Sequence, residues 1–152
     1  MRLGRRIAVD YGSTRIGVAA STVDGILCSP LATIAATENL ASELVKLISE
    51  NSAIEVYVGL PVNLAGDFTK STHNALAFAR QLAALLDVEV RLVDERLSTR
   101  AAQSQLYSSG KNSKQSRSLI DAAAASLILE DAIAFEKATG EMPGRAIEEF
   151  DE

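Results

Sequence analysis

Alternation of apolar and polar residues predicts three consecutive strands in the first part of the chain. Residues 6–10 and 15–21 are apolar runs joined by a tight turn, where Gly12 is expected to take a positive φ. Residues 24–35 predict a third strand that is interrupted near Pro30. The short connections favour an antiparallel arrangement of these strands.

The remainder of the chain alternates between helical and extended patterns. Thr37 is a candidate N-cap for a helix whose leucines and Ile48 share a stripe. The following segments are predicted to be, in order, a strand over 54–60, a helix over 67–86, a strand over 88–95, and helices over 98–108 and 119–138. A strand meander followed by β-α-β alternation predicts an α/β fold with a mixed sheet covered by helices.

Several of the predicted strands end in acids or in a glycine. Asp10, residues 59–61 and the pair Asp94–Glu95 all lie at carboxyl ends of predicted strands, where binding sites form in such sheets. Asp10 is either a turn aspartate that binds nearby backbone N–H groups or a metal ligand on a rigid strand. Alternation places Asp94 with Val90 and Leu92, and Glu95 on the other face. That pattern favours burial of Asp94, but it does not decide which acid has a chemical role.

Asp121 lies on the apolar face of a helix rich in alanine. Positions 121, 124, 125, 128 and 132 share one face, and all except Asp121 are alanine or isoleucine. An interaction with the N–H groups of its own first turn would explain why Asp121 is near the helix start. It would not explain the apolar neighbours, because a carboxylate on a buried face needs a cation or hydrogen-bond donors.

Three acids from two strand ends and one helix start therefore predict a metal site. Carboxylate ligands with water suit Mg²⁺ or Mn²⁺, and one or two such ions would support hydrolysis of a phosphodiester bond. No His/Cys set has the spacing of a zinc site, and no P-loop or serine-nucleophile elbow is present in the sequence. His73, in the middle of a predicted helix among polar residues, is expected at the surface, and Cys28 is expected to be a buried thiol within a strand.

Length and charge distribution predict a domain boundary near the carboxyl end of the chain. The 152 residues suit one domain, predicted over residues 1–139. Residues 1–118 hold 13 Lys/Arg against 11 Asp/Glu, whereas residues 119–152 hold two against nine. Residues 140–152 are therefore predicted to be an acidic tail that is solvated and poorly ordered. The body is near neutral, so charge neither indicates nor excludes a nucleic-acid partner.

Membrane and export signals are missing from the sequence. No apolar run reaches the roughly 18 residues of a membrane span, and the amino terminus lacks the apolar stretch of a signal peptide. The lone Cys28 excludes an internal disulfide. The expected location is the reducing cytoplasm, without a membrane partner.

Four sequence blocks, in order and near the expected spacing, resemble the YqgF/RuvX-like family. These blocks are VDYGSTRIGVA, VGLPVNLAG, VDERLST and IDAAAASLIL, which together extend from about Ile7 to Leu129. The resemblance implies an RNase H-like fold, similar to that of the Holliday-junction resolvase RuvC. It implies a five-stranded mixed sheet, with three antiparallel strands followed by β-α-β units and helices on both sides.

The resemblance also implies the site residues and the activity. Asp10, Glu95 and Asp121 match the family's catalytic and metal-binding acids, so it is the resemblance that favours Glu95 over Asp94. Family members are assigned as nucleases that process the 5′ end of the 16S ribosomal RNA precursor, and also as Holliday-junction resolvases. The expected partner is thus structured RNA or branched DNA, and the protein would act as a monomer or a homodimer.

Basic residues near these acids are candidates for binding backbone phosphates, with a solvated basic surface as the alternative interpretation. Gly12 would let the substrate approach the sheet, and Arg15 would contact the substrate or pair with a site acid. Gly17 would serve either that approach or tight packing. The basic candidates outside this turn are Arg96, Arg100, Lys111, Lys114 and Arg117.

Two other classes of function compete with a nuclease. Actin-like and sugar-kinase ATPases have a first phosphate loop that resembles DYGST, but they need two domains and a second phosphate loop. A non-catalytic module would use the same fold to bind RNA or ribosome-assembly proteins. Binding without cleavage, unchanged by replacement of Asp10, would favour the module.

Overall fold

A computed structural model describes the backbone of residues 1–94 and 113–150, and the side chains of these residues other than 113–120. The predicted helix over 98–108 and the last two residues lie outside the described residues. The elements within them are the strands β1 (Arg6–Asp10), β2 (Arg15–Ser21), β3 (Cys28–Ala35), β4 (Glu55–Leu60), β5 (Glu89–Asp94) and β6 (Arg145–Ala146), the helices α1 (Leu40–Glu50), α2 (Lys70–Leu85) and α3 (Ser113–Thr139), and a 3-10 turn (Ile147–Glu149).

The strands form one mixed sheet in the order β3-β2-β1-β4-β5-β6. The first three strands are antiparallel neighbours, β1, β4 and β5 are parallel, and β6 is antiparallel to β5. The predicted mixed sheet is confirmed, with a short sixth strand added to the five expected. Because β1, β4 and β5 are parallel, their carboxyl ends meet at the same edge of the sheet.

Alternation along the strands separates two apolar cores. Ile7 and Val9 pack on one face with Leu44 of α1 and Leu82 of α2. Ala8 packs on the other face, with residues of α3 such as Ala125 and Ile128. We call these the two-helix face and the α3 face. Each side chain near the carboxyl edge can therefore be assigned to a face by its position in a strand.

Helix starts and the third strand differ slightly from the predictions. α1 begins at Leu40 rather than directly after Thr37, whose hydroxyl instead accepts the Asn39 N–H at 3.2 Å. α2 begins after Thr69, which forms a capping box with Thr72. β3 is continuous through Pro30, because a bulge makes Leu31 the extra residue opposite Val18 and Ala19. An edge strand tolerates proline, since its N–H need not pair.

The carboxyl-terminal segment is packed on the sheet up to Phe150, in contrast to the poorly ordered tail expected from its charge. β6 pairs with Arg91 and Leu92 of β5. Phe150 is only 7% exposed, and its carbonyl accepts a hydrogen bond from Arg80 at 2.7 Å. One buried aromatic ring and two strand residues thus anchor a segment that is otherwise acidic. In the part of the chain that the structure describes, no helix has the length and apolarity needed to cross a membrane.

A buried ionic cluster ties three elements together at the amino ends of β1 and β4. Arg2 donates to Glu136 of α3 at 2.6 Å and to Glu55 of β4 at 2.8 Å. Arg6, which is fully buried, donates to Glu136 at 3.1 Å, and Tyr57 donates to Glu55 at 2.7 Å. Hydrogen bonds from Arg2 hold the pKa of Glu136 at about 2. The cluster lies at the amino end of β1, whereas Asp10 lies at its carboxyl end.

We predict that Glu136→Gln lowers the free energy of unfolding by about 3 kcal/mol at pH 7, since it leaves buried arginine charge without its partner. Because the folded-state pKa lies below the ordinary value of 4.5, this stabilisation is complete above pH 4.5 and is lost as the pH falls towards 2. Urea unfolding of both proteins across this range measures it. Glu130→Gln, which alters an exposed acid on the same helix, should have little effect. An equal loss in both variants would contradict the prediction.

Candidate active site

Asp10 ends β1 on the α3 face. It alternates with Ala8, which packs against α3, and it is half-buried. Across the antiparallel pair, Asp10 lies opposite Gly17 of β2. Paired residues in antiparallel strands have Cα atoms about 4.5–5.5 Å apart, so whatever contacts Gly17 lies next to Asp10.

Gly17 is in contact with the backbone of Asp121. A Cβ atom built on Gly17 would lie 1.9 Å from the Asp121 carbonyl oxygen, so only glycine permits this approach of α3 to β2. Close packing, one of the two roles considered for Gly17, is the one that the structure supports. Through this contact the backbone of Asp121 lies near the end of β1, on the same face of the sheet as Asp10.

Asp121 forms an ion pair with Arg15 at the start of β2. Arg15 Nε and Asp121 Oδ2 are 2.5 Å apart, with side chains 31% and 18% exposed. The two atoms lack the angular geometry of a hydrogen bond, although both are buried. Burial raises the pKa of Asp121 above its ordinary value, and the charge of Arg15 opposes that rise without cancelling it. Asp121 is thus a carboxylate whose negative charge is only partly compensated.

Gly12 serves the turn in a different way from that predicted. It does not take a positive φ. Instead, a Cβ at Gly12 would lie 2.7 Å from the Arg15 carbonyl oxygen, so the missing side chain is what allows the turn to close. The turn in its closed form carries Asp10 at one end and Arg15 at the other.

Asp94 ends β5 on the opposite face from Asp10. It alternates with Val90 and Leu92, which belong to the core of the two-helix face. The pattern favoured a buried side chain, but Asp94 is exposed because β5 ends at the edge of the sheet. Its position gives no reason to choose it as a partner of Asp10.

The other sequence-predicted residues lie beyond what the structure describes. Lys114 and Arg117 belong to α3, but their side chains are not described. Among the described side chains, no three acids, histidines or cysteines are grouped closely enough to hold a metal ion. His73 is exposed, as predicted, and Cys28 lies within β3. The residues outside the described ranges are Glu95, Arg96, Arg100 and Lys111.

A cleft beside Tyr11 was not predicted from the sequence. It has a volume of about 410 Å³ and lies between the end of β1, the start of α1 and the middle of α2. Tyr11 stacks on Phe78 of α2 with ring centroids 4.5 Å apart. The signal in the sequence was the spacing of Asn74, Phe78 and Gln81, which puts two amides and an aromatic ring on one helical face.

Sheet order, crossover helices and the acids at the carboxyl edge define an RNase H-like domain. Two structures of RuvC from Thermus thermophilus share this fold. One, a complex with a Holliday junction substrate, has a TM-score of 0.61 at 14% identity and covers 92% of this chain and 99% of that chain. The other has a TM-score of 0.56 at 15% identity and covers 91% and 98%.

The chain belongs to the RuvX family, whose model, described as a Holliday junction resolvase, matches residues 4–134. Curated relatives carry the name "Putative pre-16S rRNA nuclease". The relative from Leifsonia xyli is 44% identical, with 97% of both chains covered. The relative from Streptomyces avermitilis is 44% identical over 97% of both chains, and that from Corynebacterium jeikeium is 48% identical over 84% of both. The resemblance found in the sequence blocks is thereby confirmed.

We predict that Gly17→Ala lowers the free energy of unfolding by about 1–3 kcal/mol or more, because the added methyl group would displace α3 from β2. Chemical denaturation measures this loss. Binding of Mn²⁺, followed by calorimetry, should weaken in the same variant since Asp121 moves with the helix. Unchanged stability would contradict the close contact between Gly17 and Asp121.

We also predict that Arg15→Gln raises the pKa of Asp121 further, because burial then acts without an opposing cation. An NMR titration of the side-chain carboxyl carbons measures the midpoint directly, independently of activity. Arg5→Gln, a matched change at an exposed arginine beside the other end of β1, should leave the midpoint where it is. A midpoint that is the same in wild type and Arg15→Gln would show that the ion pair does not form in solution.

Proposed function

We propose that this protein is a metal-dependent nuclease that hydrolyses phosphodiester bonds in the 5′-end processing of pre-16S rRNA. The observation that supports the proposal is the contact of the Asp121 backbone with Gly17, the residue paired with Asp10 at the carboxyl edge of the sheet. Membership of the RuvX family and the names of its curated relatives support the same activity.

The described acids suit a divalent metal such as Mg²⁺ or Mn²⁺. Asp121 Oδ2 is buried, and among the described residues it faces the Arg15 guanidinium without a hydrogen bond, so it could also accept a divalent cation. We propose that Asp10, Glu95 and Asp121 hold one or two ions, with Asp10 central because it ends the middle strand. When bound, such ions act as Lewis acids and lower the pKa of water towards neutrality. Oxygen-only ligands fit these hard cations.

Arg15 has two partners in this proposal. In the structure it lies against Asp121 and partly neutralises it. Its planar guanidinium would also suit a phosphate of the substrate. Arg15 would thereby orient the substrate beside Asp121.

Further contacts to backbone phosphates are proposed for five basic residues that follow β5 along the chain. They would position the strand without reading its sequence. Gly12, whose missing Cβ lets the turn after Asp10 close, would present its backbone to the substrate beside that acid. The five basic residues are Arg96, Arg100, Lys111, Lys114 and Arg117. The protein would act in the cytoplasm, on structured RNA.

A second candidate function is cleavage of Holliday junctions. The description of the family model and the fold shared with RuvC favour it. A junction presents two equivalent strands, so this activity requires a symmetric homodimer, whereas an RNA-processing enzyme can act as a monomer. A non-catalytic module that binds RNA or ribosome-assembly proteins remains the alternative of another class.

We predict that Asp10→Asn and Asp121→Asn each reduce Mg²⁺-dependent cleavage at least about a hundredfold, since even the residues that orient metal ligands contribute ~10–100-fold. Cleavage of a pre-16S rRNA fragment and of a four-way DNA junction would be measured in parallel, together with the oligomeric state. Faster cleavage of the RNA supports the main proposal. Faster cleavage of the junction by a homodimer supports the second candidate.

Two further variants test the choice of the third acid. Glu95→Gln should lose activity to the same extent as Asp10→Asn. Asp94→Asn should retain it, because Asp94 is exposed on the other face of the sheet. Equal cleavage by wild type and Asp10→Asn would exclude Asp10 from catalysis and favour the binding module.

A further inference from the structure

The cleft beside Tyr11 is lined by groups that suit an uncharged, planar ligand. Tyr11 and Phe78, stacked at 4.5 Å, form an aromatic wall. The amides of Asn74 and Gln81, both exposed, lie on the side formed by α2. Ala77 between them is small and leaves the space open. An aromatic surface edged by amides that both donate and accept hydrogen bonds is a common arrangement for nucleobases.

The charge of the described lining disfavours the other usual ligands of such a protein. Among the residues that the structure describes, Glu38 is the only charged one in the lining, and no lysine, arginine or histidine contributes to it. A phosphate group would meet a carboxylate there without a compensating cation, and a metal ion would find a single carboxylate. The hydroxyls of Ser13 and Thr37 add neutral polar groups instead. The volume of about 410 Å³ falls within the roughly 300–1,000 Å³ of small-ligand sites.

The cleft is adjacent to the proposed catalytic acids in the chain itself. Asp10 and Tyr11 are consecutive, and alternation directs Asp10 to the α3 face while Tyr11 packs with the core of the two-helix face. Consecutive residues have Cα atoms about 3.8 Å apart, which is close to the roughly 3.4 Å rise per nucleotide along one strand. A strand whose phosphate lies at Asp10 therefore has a neighbouring base within reach of Tyr11.

We propose that the cleft of Tyr11, Asn74, Phe78 and Gln81 binds one unstacked nucleobase of the substrate strand, next to the phosphate that is cut. The inference rests on the proposed nuclease function and adds a determinant of where the strand is cut. An unpaired nucleotide can enter such a cleft, whereas a base held in a duplex stack cannot. The enzyme would thus select phosphates flanked by single-stranded residues.

The test measures binding rather than cleavage. Full-length Asp10→Asn protein is titrated, with Mg²⁺, against a labelled RNA hairpin that carries a short single-stranded extension. Each nucleotide of the extension is replaced in turn by an abasic residue. We expect one position at which loss of the base raises the dissociation constant about tenfold, as for a base stacked on aromatic side chains. The same scan on DNA of equal sequence shows whether the base is read on both kinds of strand.

Two leucine substitutions on α2 test whether the base that affects binding lies in the cleft. Ala77→Leu, combined with Asp10→Asn, fills the cleft with a helix-compatible side chain and should abolish the difference between intact and abasic RNA. Ala84→Leu in the same background makes the identical change at an exposed position of α2 outside the cleft, and should preserve the difference. Thermal unfolding checks that both variants are folded.

The outcomes separate this inference from the proposed function. If the scan shows no sensitive position, or if Ala77→Leu retains one, the cleft is not a base site even when wild type cleaves RNA. If wild type cleaves neither RNA nor a DNA junction, but one position remains sensitive and Ala77→Leu removes it, the base site stands and the nuclease proposal fails.

Discussion

Contact between the backbones of Gly17 and Asp121 is the constraint on which the site depends. Helix α3 approaches the sheet so closely at this point that no side chain fits on β2. The alanines of α3 that face the sheet continue the same close packing, with Ala124 and Ala125 fully buried. This close backbone contact thus fixes where Asp121 lies, whereas Glu136, another buried acid of the helix, lies near its opposite end. A bulkier residue at position 17 would move Asp121 away from Asp10 without altering either acid.

Two acids of α3, Asp121 and Glu136, have pKa values that are shifted in opposite directions. Near its carboxyl end, Glu136 receives hydrogen bonds from Arg2 and Arg6, and its pKa falls to about 2. Nearer its start, Asp121 has Arg15 as its cationic partner among the described side chains, without hydrogen-bond geometry, and burial raises its pKa. Because the negative charge of Glu136 is compensated by both arginines, Glu136 stabilises the fold. Partial compensation leaves Asp121 with unmet demand for positive charge, which is the property a cation-binding carboxylate needs.

Features that depend on local periodicity could be predicted from the sequence, whereas features that depend on contacts between distant segments could not. The inward position of Asp121 follows from helical geometry alone, and the antiparallel arrangement of β1, β2 and β3 follows from their short connections. The packing of Phe150 could not be predicted from the acidic composition of its segment, since net charge does not indicate whether one aromatic ring is buried. Gly12 was assigned a positive φ because glycine often serves that purpose, but here its missing Cβ is what matters.

Alternation at the end of β1 couples two kinds of recognition at one point of the chain. The last strand residue, Asp10, faces α3, and the next residue, Tyr11, packs towards α1 and α2. A charged group and a planar group of one nucleotide strand could therefore be held on opposite sides of a single peptide unit. Such an arrangement fixes the distance between the two contacts by covalent geometry rather than by a flexible loop. The same strand end that positions an acid for chemistry would then also determine which part of the substrate reaches it.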